Sequence, residues 1–262
     1  MLVATNPIRA RIADGGVALG LIVRAVRSAE IALIARASDH DFLFIDTQHA
    51  AFNQETVASI IIAARESGVY PLVRVRSSLD ADAALWLDCG AGGLIVPDVN
   101  TAEEARGLVS RCRFPPRGQR SLPGPLIQDD FCPISPEDAM RKADAETVIT
   151  AMIETKVGVA NADEIAAVDG IDVLHVGCVD LLLALGLPGQ QGCPEILEAI
   201  ELVAAAAERH GKILGIGGER DPERRARFIR RGARFMTTDL DINLLLKAAT
   251  ERVSTIRTME TS

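Results

Sequence analysis

The chain has 262 residues, 48% hydrophobic, 24% charged and only 3% aromatic, the composition of a globular protein with a large core, which excludes disorder, collagen and coiled coil. A net charge of −8 with no basic stripe interleaved with aromatic residues argues against a nucleic-acid partner, and no apolar run approaches the ~20 residues of a membrane helix. The five cysteines (Cys89, Cys112, Cys132, Cys178, Cys193) include no C-x-x-C pair, and the first apolar run is closely followed by Arg24 and Arg27; both features suit a reduced, cytoplasmic protein without a signal peptide.

Short apolar runs alternate with amphipathic ones along the whole chain. A strand at Val17–Val23 precedes a helix near Ala29–Ala37, and a strand at Phe42–Asp46 precedes a helix at Gln54–Ser67. Pro71–Val75 is followed by Asp80–Asp88, and Gly93–Pro97 by Thr101–Arg111. Val148–Ile153 leads to Val157–Val168, and Val173–Gly177 leads to Leu181–Leu185 and Pro194–Arg209. Ile213–Gly217 leads to Asp221–Arg231, and Arg234–Thr237 to a terminal helix at about Asp241–Arg257.

Strands that are apolar on successive residues, such as Leu94-Ile95-Val96, suit a parallel sheet covered by helices. Eight such units predict a single-domain α/β protein, a (β/α)8 TIM barrel over residues 1–262. The alternative, a doubly wound open sheet, lacks a G-x-G-x-x-G after its first strand. One connection breaks the rhythm: residues 112–145 carry Pro115, Pro116, Pro123, Pro125, Pro133 and Pro136 with Arg113, Arg117 and Arg120. As a long loop after the fourth strand it is expected to act as a lid or subunit contact on the active-site face, a domain linker being the plainer reading.

In a barrel, catalytic groups lie where strands end. Glu154 and Asp180 leave the fifth and sixth strands, and two converging carboxylates without nitrogen or sulfur ligands suit a hard divalent ion such as Mg2+ or Mn2+. Otherwise one of them pairs with Arg74, or both are solvated. Arg74 sits within an apolar strand and must meet an anion, either a structural carboxylate or a substrate oxygen. His49, three residues after Asp46, is a candidate base whose ring a carboxylate would hold, or a surface residue. His175 reads as core or barrel lining, and His40 and His210 as surface residues flanking helices. The turn Gly177-Cys178-Val179-Asp180 offers helix N-terminal N–H groups to a carboxylate, as a 2-oxo acid would require.

The ordered set Asp46-x-x-His49, Arg74, Leu87-Asp88-x-Gly90, Val96-Pro97, Pro115-Pro116-x-Gly118-x-Arg120, Ile153-Glu154-Thr155 and Gly177-x-x-Asp180-Leu181 resembles the HpcH/HpaI aldolases from about Gly15 to Ala249. The resemblance implies a class II aldolase that makes or breaks a C–C bond of a 4-hydroxy-2-oxo acid through a pyruvate-type enolate. It also implies Glu154 and Asp180 as ligands of a divalent ion (Mg2+, Mn2+ or Co2+), Arg74 on the keto oxygen, and His49 assisted by Asp88 as acid/base. By the same resemblance Val179 and Asp180 hold the substrate carboxylate, and the C-terminal helix serves a homo-oligomer, a trimer or hexamer. The partners are then a 2-oxo acid and an aldehyde.

Three departures from the family pattern stand out: Gln48 for a usual Glu, Met152 for a usual Gln, and the pair Cys178-Val179 for a usual Pro-Ala. A thioether cannot hydrogen-bond as an amide does. Related enolate chemistry therefore competes with the aldolase reading: condensation onto another oxo acid, oxaloacetate decarboxylation or citrate-lyase-like thioester cleavage. A barrel that binds a carboxylate without turnover is the reading from another class.

Overall fold

The structure is a computed structural model that describes residues 6–260; the domain expected over 1–262 extends beyond these at both ends. Eight strands, β1 (Ala18–Val23), β2 (Phe42–Asp46), β3 (Tyr70–Arg74), β4 (Gly93–Val96), β5 (Val148–Ile153), β6 (Val173–Gly177), β7 (Ile213–Gly217) and β8 (Ala233–Leu240), close into one barrel in sequence order. Every neighbouring pair is parallel, and β8 closes on β1 with Phe235 beside Ala18 and Thr237 beside Gly20.

Side chains alternate across a strand, so each strand feeds two cores. Phe42, Phe44, Leu72, Ile95, Met152 and Phe235 fill the barrel, with Phe42 stacked on Phe235 at 4.3 Å between ring centroids. Their neighbours Leu43, Ile45, Val73, Leu94 and Ile153 pack outward on the helices. Continuing the inward register to the carboxyl ends of the strands brings Asp46, Arg74, His175, Gly177, Gly217 and Thr237 to the upper layer of the interior. The inward positions thus turn from apolar to polar along the barrel axis, which is what positions the site.

The helices are α1 (Pro7–Ala13), α2 (Ile31–Ala37), α3 (Gln54–Ser67), α4 (Ala83–Asp88), α5 (Ala102–Cys112), α6 (Pro136–Glu146), α7 (Lys156–Ala160), α8 (Ala162–Ala166), α9 (Cys178–Leu185), α10 (Pro194–Arg209), α11 (Pro222–Arg231) and α12 (Asp241–Met259). Two of them were not expected. α1 starts at Asn6, whose side chain accepts the N–H groups of Ile8 and Arg9, and it inserts Ile8 into the barrel core from the amino-terminal end. α6 starts at Ser135-Pro136, with the Ser135 hydroxyl accepting the Asp138 N–H at 3.1 Å. The helix expected at Val157–Val168 is split at Asn161, whose amide donates to the Asn100 carbonyl at 2.8 Å. No helix of the described residues is long and apolar enough to cross a membrane.

In its own chain the segment 112–145 lines no part of the cavity at the carboxyl ends of the strands. It follows α5, which returns the chain to the amino-terminal end of the barrel, and it leads into the start of β5. Phe114, Leu126, Ala139 and Ala143 give it a small core of its own. Arg113, 2% exposed, donates to Asp172 at 2.9 Å and to the Gly170 carbonyl at 3.2 Å, just ahead of β6. Arg120 pairs with Asp88 at 2.7 Å and lies over the Phe114 ring. These arginines staple the face opposite the active site.

Replacing Arg113 by Ala should leave Asp172 with the half-exposed Arg9 as its remaining cation, at 2.7 Å, and cost about 1–3 kcal/mol of stability, read from urea unfolding; a loss within about 0.5 kcal/mol would show that the staple is dispensable.

Candidate active site

The carboxyl ends of the strands open on a cavity of about 450 Å³ whose lining includes His49, Arg74, Gly177, Cys178, Val179 and Asp180. Six residues singled out from the sequence therefore meet in one place. Asp46 and Glu154 lie in the walls beneath it, 0% and 4% exposed. Asp88 does not join them: it ends α4 ahead of β4, and its carboxylate is taken by Arg120.

Arg74 and Asp46 stand beside each other in the β2–β3 register. Two parallel hydrogen bonds, from Arg74 Nε to Asp46 Oδ1 at 3.0 Å and from Nη2 to Oδ2 at 2.6 Å, lock the guanidinium, which also lies 5.1 Å from the centre of the Phe44 ring. Of the two readings left open for Arg74, the structural carboxylate is present, and it is Asp46 rather than Glu154 or Asp180. The pairing leaves Nη1 for a substrate oxygen. Asp46 Oδ1 also accepts the backbone N–H groups of Gln48 and His49, which fixes the turn after β2. Burial alone would raise the Asp46 carboxyl, but Arg74 and the His49 N–H outweigh it and hold it below its ordinary value. The expectation that a carboxylate holds the His49 ring is not met: Asp46 binds the His49 backbone, Asp88 binds Arg120, and the exposed imidazole faces the cavity.

Glu154 is the group with most at stake. Its Oε1 accepts the Asp98 N–H at 2.9 Å, while its Oε2 is buried with no hydrogen-bond partner among the described residues. A Cβ on Gly177 would lie 2.4 Å from that Oε2 and 3.2 Å from the Met152 methyl, so only glycine lets β6 approach this carboxylate. Burial above all, then the carboxylates of Asp98 and Asp180, push the Glu154 carboxyl up to about 7, against the Asp98 N–H and Arg74. A buried carboxylate oxygen without a donor is costly, and an oxygen-only donor set of two carboxylates is what a hard divalent cation takes while keeping waters. The residues present therefore fit such an ion. Among the described residues no cluster of three or more His, Cys, Asp or Glu offers an alternative metal site.

Beside these carboxylates α9 begins at Cys178, its first turn directed at the cavity. Burial, and after it the Glu219 carboxylate, push the Cys178 thiol up to about 12, so it is a neutral wall and no nucleophile. Met152, 4% exposed, forms the apolar floor next to Glu154.

The sequence reading missed the opposite wall. β8 runs on to Leu240, which brings Thr237 and Thr238 to the cavity together with Arg24, Arg225 and the loop after β7. Glu219, 3% exposed, organises that loop by accepting from the Arg220 and Asp221 N–H groups at 2.7 Å and from Arg224 Nε at 2.7 Å. Two adjacent threonines within an apolar β8 pattern were the available signal.

Asp46→Asn leaves the Arg74 guanidinium buried without a counter-charge, an expected cost of about 3–5 kcal/mol at neutral pH. Because the Asp46 carboxyl is depressed, its contribution is complete above the unfolded value near 3.9 and is lost as pH falls through the lower folded value. Urea unfolding of both proteins should show the gap closing below about pH 4; a gap independent of pH contradicts the pairing.

Comparison with known proteins agrees with this geometry. Residues 23–248 match the family described as HpcH/HpaI aldolase/citrate lyase. The chain is 32% identical to a 4-hydroxy-4-methyl-2-oxoglutarate aldolase of Hapsidospora irregularis, over 99% of this chain and 98% of that protein. It is 34% identical to a hydroxypyruvate/pyruvate aldolase of Delftia acidovorans, over 82% and 80%. Among solved structures, the HpcH/HpaI aldolase from Desulfitobacterium hafniense DCB-2 superposes with a TM-score of 0.90 at 30% identity, covering 95% of this chain and 96% of that one. With a closed eight-stranded barrel, an arginine and two carboxylates at its carboxyl end and a family match over most of its length, the chain belongs to the HpcH/HpaI aldolase/citrate lyase family and is a carbon–carbon lyase of the aldolase type.

Proposed function

We propose that the protein is a divalent-metal-dependent class II aldolase that cleaves or forms a 4-hydroxy-2-oxo acid through the enolate of pyruvate or a close analogue. The observation that carries this reading is the unpartnered Oε2 of Glu154, buried next to Asp180 and on the same side of the cavity as the free nitrogen of Arg74.

Glu154 and Asp180 would hold the ion, Mg2+, Mn2+ or Co2+, which when bound polarises the 2-oxo group as a Lewis acid. The chain supplies the rest. Arg74, immobilised by Asp46, directs Nη1 at the C2 oxygen, where negative charge grows as the C3–C4 bond breaks; a donor fixed in advance stabilises that charge without reorganising. The first N–H groups of α9, at Cys178, Val179 and Asp180, receive the C1 carboxylate, with Gly177 allowing its close approach. His49 takes the proton of the C4 hydroxyl, the C3–C4 electrons pass to the C2 oxygen, and the aldehyde leaves. The same imidazole returns the proton to C3, giving pyruvate. Asp88 enters this scheme only from outside the cavity of its own chain.

Two relatives of similar distance carry names with different substrates, a 4-hydroxy-4-methyl-2-oxoglutarate and a hydroxypyruvate/pyruvate pair, so the donor half is the common element of the proposal. Assembly of identical chains belongs to it as well: Leu245, Leu246 and Met259 of α12 are exposed, an apolar surface that suits a second copy.

The test is deuterium incorporation into the methyl group of pyruvate, followed by NMR with metal-depleted protein and after Mg2+, Mn2+ or Co2+ is restored. Exchange only with metal supports the reading; none with any metal overturns it. Arg74→Ala should slow the restored exchange by about 10²–10³, as for other donors at a developing oxyanion, whereas a change in KM alone would make Arg74 a binding residue only.

A further inference from the structure

The charged side chains that line the cavity cancel except at its two ends. Arg74 is paired with Asp46, Glu219 with Arg224, and Arg220 with Asp239 at 3.0 Å. Asp180 remains at the β5–β6 end, beside the buried Glu154. At the far end, where β8 meets β1, Arg24 and Arg225 remain, and among the described residues neither is paired with a carboxylate. The cavity is therefore negative where a cation fits and positive at the wall where β8 meets β1.

The positive end is built rather than incidental. Arg225 donates Nε to the Glu219 carbonyl at 2.7 Å and Nη2 to the Thr237 and Thr238 carbonyls at 3.1 and 2.7 Å. Neutral carbonyls fix the guanidinium plane without cancelling its charge, and Nη1 is left over. Arg24 is anchored through its backbone: Asp241, 6% exposed, accepts the N–H groups of Arg24, Ala25 and Val26 at 3.1, 2.9 and 2.8 Å.

Between the two ends lie two polar atoms without a hydrogen-bond partner among the described residues. His175 and Thr237, 1% and 4% exposed, both line the cavity. A Cβ on Gly217 would stand 2.5 Å from His175 Nε2 and 3.2 Å from Thr237 Oγ1, so both atoms face the gap that this glycine leaves. Burial, with a smaller effect of Arg74, drives the His175 ring down to about 3, so it is a neutral imidazole able to donate or accept.

We propose that the β7–β8–β1 wall is the acceptor subsite and that it is built for an oxo compound carrying its own carboxylate: Arg225 and Arg24 take the carboxylate, and His175 Nε2 and Thr237 Oγ1 take the carbonyl oxygen. The inference rests on the aldolase reading and adds the class of the second substrate. In the bond-forming direction the pyruvate C3 loses a proton and bonds the acceptor carbonyl carbon, and the acceptor oxygen takes up a proton to become the hydroxyl; no oxidant or leaving group is involved. A neutral aldehyde would engage only His175 and Thr237 and leave both guanidinium groups unused, whereas an anionic one engages all four groups.

The experiment compares kcat/KM for condensation of pyruvate with glyoxylate, which carries a carboxylate, and with acetaldehyde, which does not. The unsubstituted protein should favour glyoxylate by about tenfold or more, and Arg225→Ala should cut that preference by about tenfold, the loss of one charge-assisted hydrogen bond. Arg24→Ala removes a side chain with no hydrogen bond of its own among the described residues and should cut the preference in the same direction, which keeps the test open if Arg225→Ala does not fold. Thr237→Val and His175→Phe should lower kcat/KM for both acceptors. No preference in the unsubstituted protein, or a preference untouched by a folded arginine variant, overturns the inference. Pyruvate methyl exchange by the unsubstituted protein separates the two failures: exchange present with no acceptor preference sinks this subsite alone, and exchange absent with every metal sinks the aldolase reading beneath it.

Discussion

A carboxylate oxygen buried with no donor is the constraint on which the rest of the site depends. The fold puts Glu154 Oε2 against β6, where only the missing side chain of Gly177 leaves room for it. Such an atom costs free energy unless a positive group arrives, and the two nearest carboxylates, Asp98 and Asp180, make the cost larger. Arg74 relieves it only in part, because Asp46 has already claimed two of its nitrogens. Stability is thus held back at this point of the barrel, in the way binding sites commonly store it.

The division of labour between layers follows from the same geometry. Inward positions low in the barrel are filled by Phe42, Phe235, Leu72 and Ile95, which are rigid and dry, and this floor fixes the backbone from which Asp46, Arg74 and His175 rise. An arginine held bidentately over an aromatic ring has little freedom left, so its remaining nitrogen is aimed before a substrate enters. On the far wall Glu219 and Asp241 do the equivalent service for the loops after β7 and β1, each spending a buried carboxylate on backbone N–H groups. A cavity with a negative and a positive end results, which matches a reaction that joins two oxo compounds, one bound beside a cation and the other presenting an anion.

Much of this was legible in the sequence, for identifiable reasons. Parallel strands buried on both faces read as continuous apolar runs, so seven strands were bounded to within a residue at each end; β8, expected to end at Thr237, runs on through the polar Thr238-Asp239 to Leu240. The helices α1 and α6 announce themselves as Asn6-Pro7 and Ser135-Pro136, a capping residue followed by proline at the first helical position, but six prolines between residues 115 and 136 masked the second signal. The placing of Arg113 and Arg120 on the active-site face failed because the segment follows a helix, not a strand. Which carboxylate serves Arg74 was not decidable either: Asp46, Glu154 and Asp180 all lie at or just beyond the carboxyl end of a strand, and only the β2–β3 register selects Asp46.

The measurement that bears most directly on this account is the binding of Mn2+ to the metal-depleted protein, followed by electron paramagnetic resonance, for the unsubstituted chain and for Glu154→Gln and Asp180→Asn. The account predicts one ion per chain and a loss of affinity of about tenfold or more in each variant, since two carboxylates supply the whole protein share of the ligands. Equal affinity in all three proteins would mean that the buried oxygen of Glu154 answers to something other than a metal ion, and would contradict the account at its base.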